Sequence, residues 1–325
     1  MPPFTVTYRH ATPEMDALDA ERLLALIQFC EPAVTDLDPR ICRIPLIELG
    51  ATVTSEVWLS PSPVRAGTMN GVGYAEDGEA AFLHLQLDEY AQDALQPLTA
   101  VAYRRLLAAA HTLGYPHILR AWNYFPEINQ ECVGLERYRA FCAGRHQALM
   151  AELADCAPHL PAACAIGTYR PGLRISVLAA RQPGIQIENP RQVSAFHYPP
   201  QYGRRSPSFS RAVLKTWGQR DCHLYISGTA SIVGHASQHH DLRTQLDETL
   251  LNLETLLAEA QRVAPAPLRL TLLKVYCRHE FNPAPLRASI VSALGADADL
   301  LFLHADICRR ELLIEIEGMA VGGDR

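Results

Sequence analysis

DLRTQLDETLLNLETLLAEAQRVAPAPLRLTLLKVY, residues 241–276, is the stretch on which the fold turns. Leu242, Leu246, Leu250, Leu253 and Leu257 recur at helical spacing, which predicts one amphipathic helix over 242–261 with a single buried stripe. Asp241 stands where a short carboxylate caps the free N–H groups of a first turn. A strand follows over 268–276, then a helix over 285–294 and two closing strands over 300–307 and 312–316. Upstream, 164–167, 173–179 and 224–227 read as further strands. Strands first, then helix, strand, helix and two strands, predict an α+β sheet with helices on one face.

The first half is read less directly. Residues 20–29 have apolar positions at helical spacing behind an acidic start and predict a helix. Segments 43–49, 52–59 and 80–87 predict strands, with Gly71, Gly73 and Gly78 in the turns between them. A helix is expected over 100–113, stopped by Gly114 and Pro116, then a strand over 117–124 and a helix over 135–153. HILRAWNYFPEIN followed by LERYRAF echoes LTLLKVYCRHEFNP followed by LRASIVSAL, as if one unit had been used twice. Pro158 and Pro161 mark the expected boundary between an N-terminal lobe, 1–155, and a C-terminal lobe, 160–325.

The 325 residues, 48% hydrophobic and 20% charged, suffice for two cored domains. A net charge of −6 without a long basic run argues against nucleic acid as a partner. The opening residues lack a leader-like apolar stretch and no apolar run is long enough to span a bilayer, so a cytoplasmic protein is expected. Nine scattered cysteines without a C-x-x-C pair read as free thiols. His235, His239, His240 and Asp241 span a turn and a helix start rather than one helical face, so neither a metal nor another cofactor is expected.

Five prolines between 181 and 209 leave no room for a helix or a central strand, and predict a long ordered loop lining a site. Phe196, His197, Tyr198, Tyr202 and Phe209 supply aromatic walls. Arg191, Arg204, Arg205 and Arg211 supply forks for anions. The mixture suits a small, planar, negatively charged ligand. In LYISGTASIVGH, residues 224–235, Gly228 and small neighbours such as Ala230 let the backbone approach such a ligand closely.

Three further positions carry possible chemistry. In LLIEIEG the alternation places Glu315 and Glu317 on one face, which is either the wetted side of a sheet or the seat of a general acid with a raised pKa. Cys308, just before that strand, reads as a small buried residue or as a neighbour of Glu315. Arg145 falls on the stripe Tyr138, Phe141, Cys142, Arg145, Leu149, with Arg139 on its flank. A buried arginine needs a carboxylate, from the protein or from a ligand.

The motifs NYFPEIN, GLERYRAFCAGR, ENPRQVSAFHYPPQYGRRSPSFSRA, YISGTASIVGH, the Q-x-x-ET-x-x-N helix and ADICRRELLIEIEG together resemble the chorismatase family. ELLIEIEGMAV resembles the end of the RidA/YjgF proteins, on whose fold that family is built. The resemblance implies a monomer of two RidA/YjgF-like lobes, each a mixed β-sheet with helices packed on one face, in a pseudo-trimeric arrangement with the active site in the C-terminal lobe. It implies chorismate as substrate, no cofactor, release of pyruvate, and Glu315 as the acid that protonates the terminal methylene of the enol ether. Arg145 and Arg211 would hold carboxylates, with Arg139 beside them, Tyr198 and Tyr202 would shape the ring pocket, and Ala230, in the turn that Gly228 opens, would belong to the product-determining region.

A cysteine at position 308 resembles the members that form 3-hydroxybenzoate, in some cases with 4-hydroxybenzoate. Hydrolysis to a dihydroxy-cyclohexadiene acid is the alternative. An enamine or imine deaminase would keep the glutamate and an arginine without needing the long aromatic loop, and a non-catalytic binder of aromatic acids would tolerate loss of Glu315.

Overall fold

The computed structural model describes residues 3–10, 20–30, 38–50, 53–89, 94–152, 159–203, 205–295 and 298–323. Arg204, Pro158, and the expected element ends at Thr52 and Leu153 lie outside them. In chain order come β1 (Thr5–His10), β2 (Leu23–Phe29), β3 (Ile41–Ile44), β4 (Ile47–Glu48), β5 (Thr54–Leu59), β6 (Arg65–Met69), β7 (Val72–Glu76) and β8 (Ala80–Leu87). Helix α1 (Leu95–Thr112), β9 (His117–Pro126), the small hairpin β10 (Glu131–Cys132) and β11 (Leu135–Glu136), and α2 (Arg137–Glu152) follow. Then come β12 (Ala162–Thr168), β13 (Leu173–Ala180), β14 (Ile185–Ile187), β15 (Ala212–Thr216), β16 (Cys222–Ala230), and a second hairpin, β17 (Ile232–Val233) and β18 (Ala236–Ser237). The chain closes with α3 (Leu242–Gln261), β19 (Leu268–Cys277), α4 (Pro283–Leu294), β20 (Asp299–His304), β21 (Asp306–Ile307) and β22 (Ile314–Gly322).

Among the described residues three larger sheets form, besides the two small hairpins. The first runs β1-β5-β2-β3, the second β21-β12-β9-β13-β8-β7-β6, and the third β14-β15-β16-β22-β19-β20-β4. One core draws on all three, through Val6 and Trp58, Phe82 and Trp122, and Tyr225 and Tyr276. Helices α1 and α2 cover the other face of the second sheet, and α3 and α4 that of the third. Each large sheet thus has its helices on one face, in the α+β arrangement expected.

Several expectations need correction. Of the helix expected over 20–29, Leu23–Phe29 form strand β2. It is central in its sheet and almost wholly buried, and a strand buried on both faces reads as a continuous apolar run that mimics helical spacing. The strand expected over 43–49 breaks at Pro45: β3 pairs with β2, whereas β4 crosses to β20 in the third sheet. Helix α1 starts earlier than expected, with Pro97 in a first turn where a missing N–H breaks no helical bond. The large sheets do not divide at 155–160 either. Strand β12 lies parallel to β9 and β13 antiparallel to it, so the second sheet runs on through Ala180, and it takes β21 from near the end of the chain as well. Within the proline-rich segment β14 is an edge strand, where a neighbouring proline breaks no ladder.

Candidate active site

Strand β22 lies between β16 and β19. Ile314 and Ile316 pack beneath the helices, so Glu315 and Glu317 turn to the opposite face. That face is not wet: both glutamates are only 3% exposed. Their surroundings then drive them apart.

Glu317 sits in a buried ionic network. Arg120 from β9 donates to its Oε2, Trp122 Nε1 donates to Oε1 at 3.0 Å, and Lys274 Nζ lies 3.1 Å from Oε1 and 2.9 Å from Glu56 Oε2. Burial disfavours its charge, but Lys274 and Arg120 outweigh it and hold the carboxyl below its usual range. Glu315 has no such cation in contact. Burial first, and the negative charge of Glu317 second, push its pKa up to about 8, against weaker opposition from Arg120. One glutamate is therefore a fixed anion and its neighbour a carboxylic acid at neutral pH.

The ion network also sets a stability prediction. Lys274→Met leaves Glu56 and Glu317 short of a counter-charge in a dry core, and should destabilise the fold by about 3–5 kcal/mol in chemical denaturation. An unchanged midpoint would mean the network does not bear on stability.

Gly228 accommodates the acid. A Cβ there would fall onto Glu315 Oε1 and lie 2.7 Å from its Cδ. The glycine makes room for a side chain of the protein, where sequence alone had pointed to a ligand. Ala230 pairs with Glu315 across β16 and β22 and lines the same cavity. Helix α3 pins both strands with polar side chains on its buried side. Asn252 Nδ2 donates to the carbonyls of Ala230 and Ile232 at 3.0 and 2.9 Å. Gln245 Oε1 accepts from Leu313 N at 2.7 Å, and its Nε2 donates to Glu311 O at 2.8 Å.

Cys308 Sγ lies 3.9 Å from Glu315 Oε2. Burial and the Glu315 charge push the thiol above its usual range, so it is a neutral neighbour and not a thiolate nucleophile. Arg145 projects into a recess of about 40 Å³ shared with Glu315, Cys308 and Phe209. It is 3% exposed, its Nε and Nη2 have no hydrogen-bond partner among the described residues, and its guanidinium lies 5.1 Å over the Tyr103 ring. A buried cation with unsatisfied donors is a socket for an anion.

The recess adjoins a cavity of about 820 Å³ lined by Tyr198, Tyr202, Arg211, Ala230, Arg309 and others, with Gly228, Cys308 and Glu315 common to both. Arg211 Nη2 donates to Tyr198 Oη at 2.7 Å and to Val193 O at 2.8 Å, and its Nε is left without a partner. Tyr202 Oη lies 3.2 Å from His235 Nδ1. Arg139 stands at the mouth, 42% exposed and paired with Glu136 at 3.2 Å, so it is a weaker anchor than Arg145. Arg191 points elsewhere, to Glu248 and Asn252 on α3.

Sequence reasoning missed Arg309, which lies 4.2 Å over the Tyr202 ring and donates to His235 O at 3.0 Å. Its position directly after Cys308 was the available clue. It also missed Arg120, Lys274 and Glu56. Single charges inside the otherwise apolar runs HILRAW and LTLLKVY were visible, but their partner was not.

The chain as a whole is similar to known proteins. The family description "Chorismatase FkbO/Hyg5-like, N-terminal" matches residues 56–179. A 3-hydroxybenzoate synthase of Streptomyces hygroscopicus is 34% identical over 304 residues, 90% of this chain and 88% of that protein. A chorismatase of Streptomyces rapamycinicus is 37% identical over 275 residues, 82% of this chain and 81% of its own. A crystal structure of a chorismatase superposes with a TM-score of 0.85 at 32% identity, covering 97% of this chain and 98% of the other.

Proposed function

Because the chain belongs to the chorismatase family, we propose that it cleaves the enolpyruvyl ether of chorismate to pyruvate and 3-hydroxybenzoate, with Glu315 as general acid. The observation that carries the reading is the pair of glutamates two residues apart: Glu315 keeps its proton because it is buried and stands beside the charge of Glu317, which Lys274 and Arg120 hold in place. The proton passes to the terminal methylene carbon of the enol ether, and the double-bond electrons form the new C–H bond. The adjacent ether carbon becomes oxocarbenium-like, and the ionised Glu315 now faces that positive charge.

Arg145 holds one substrate carboxylate in the recess, and Arg211, with Arg139 nearer the mouth, faces the other. Tyr198 and Tyr202 flank the ring. Chorismate equals hydroxybenzoate plus pyruvate without net water, whereas the diol acid incorporates one water molecule. Neutral Cys308 beside Glu315 and the methyl of Ala230 offer water no strong partner there, which favours rearomatisation.

The test is to mix the pure protein with chorismate, resolve the products by chromatography and assay pyruvate in parallel. Pyruvate with 3-hydroxybenzoate, alone or with some 4-hydroxybenzoate, is expected. A non-aromatic diol acid would move the chain to the hydrolytic reaction, and no pyruvate above the spontaneous rate would sink the proposal.

Arg145→Ala should raise KM for chorismate about 10- to 100-fold, the equivalent of losing charge-assisted bonds of roughly 1.5–3 kcal/mol. Thermal stability of the free protein should not fall, because the guanidinium is buried without a counter-charge among the described residues. A lower melting temperature with unchanged KM would show a structural arginine instead.

A further inference from the structure

A second cavity, of about 620 Å³, lies behind the substrate-binding helix α2, outside the site described above. Its walls include Tyr103, Leu106, Leu149, Leu160, Val177 and Val213, all buried, from both helices of the second sheet and from strands of both large sheets. Its polar groups cluster. His117 and His159 line it, with His111 also on the wall and Glu152 as its carboxylate. Burial, and after it the positive charges of His159 and Lys215, hold His117 below the usual imidazole range. A carboxylate placed there would accept a ring N–H from His117 and from His159, while an apolar body would cover the aliphatic floor. No cluster of metal-ligating side chains forms among the described residues.

This cavity shares walls with the catalytic machinery. The Tyr103 ring lines it and also carries the Arg145 guanidinium at 5.1 Å. Leu149 follows Arg145 by one turn of α2. With Leu160 it forms a small cluster against which Leu107 and Phe196 pack, the latter in the aromatic loop that continues to Tyr198. A ligand seated here touches what positions the carboxylate clamp.

We propose that this cavity binds a small aromatic monocarboxylate, with its carboxylate at His117 and His159 and its ring against Tyr103, Leu106 and Leu149, and that occupancy changes substrate affinity through Tyr103 and Arg145. The choice of an aromatic body rests on the reaction proposed above, whose aromatic product is of this class. The site would then act as a product sensor. A ligand at one site alters affinity at the other only if it interacts differently with the two states of the shared wall.

Benzoate is the probe, added to the full chain in calorimetry and in chorismate kinetics. Binding should weaken at least fivefold in the His117→Gln/His159→Gln double variant, disappear in Leu107→Trp, which fills the cavity from a half-buried position, and survive Arg211→Ala. Inhibition of chorismate turnover should be partial, reaching a plateau at saturating benzoate. The absence of binding, its loss in Arg211→Ala with retention in the histidine variant, or complete competitive inhibition would each overturn the proposal. Chorismate turnover by the same preparations reports separately on the reaction, so failure of one reading is not mistaken for failure of the other.

Discussion

Glu315→Gln should lower kcat about 10²- to 10⁴-fold while leaving chorismate binding in place, the range expected when a positioned general acid is lost. Glutamine keeps the shape and neutrality of the protonated acid but has no proton to give to the methylene carbon. In the unaltered protein, activity should decline above about pH 8, as Glu315 ionises in the fold. That alkaline limb should be absent from the residual activity of the variant.

Stability should move the other way. The folded pKa of Glu315 lies above its ordinary value of 4.5, so the unfolded chain releases a proton that the fold must take back. Stability is therefore lost as pH rises from about 4.5 towards 8, and the glutamine variant does not suffer this loss. At pH 7 the gain should be on the order of 1–3 kcal/mol, read from denaturant midpoints. A variant that turns over normally would remove Glu315 from the acid role. One that is inactive but much less stable would mean that the carboxyl mattered for folding.

Gly228→Ala should cost about 10²-fold in kcat, the scale of a displacement of about 1 Å at a reacting group. Its methyl group would occupy the place of the Glu315 carboxyl, with Cys164 Cβ only 3.3 Å away on the other side. The backbone offers little room to yield. Ser227 and Gly228 form a bulge against β22, where the register passes from Ile226 opposite Gly318 to Thr229 opposite Ile316. That bulge is tied down by Ser227, whose Oγ donates to Ser210 O at 2.6 Å and accepts from Ala163 N at 2.8 Å. Circular dichroism should show the fold intact. A variant with ordinary kcat would mean that Glu315 can act from another rotamer.

Much of the catalytic strand was legible because alternation is local. Period two put Glu315 and Glu317 on one face, and helical spacing put Arg145 on a buried stripe with Phe141, Cys142 and Leu149. The bounds of α3 were legible for the same reason, with a leucine stripe behind a capping Asp241 that accepts from Thr244 N at 3.0 Å. Family motifs added the expected acid, the substrate and the product.

By itself, then, the sequence determined which residues share a face, where the helices of the C-terminal half run, and which side chains could meet an anionic aromatic substrate. Only the tertiary structure decided that the face bearing the two glutamates is dry, since β22 turns it to a core built by three sheets. It alone brought Glu56, Arg120 and Lys274 from three distant strands onto or beside Glu317, and placed β2 as a strand at the centre of its sheet. The physical reason is that periodicity is set by neighbours along the chain, whereas dielectric, counter-charges and burial on a second face are set by segments far away in sequence.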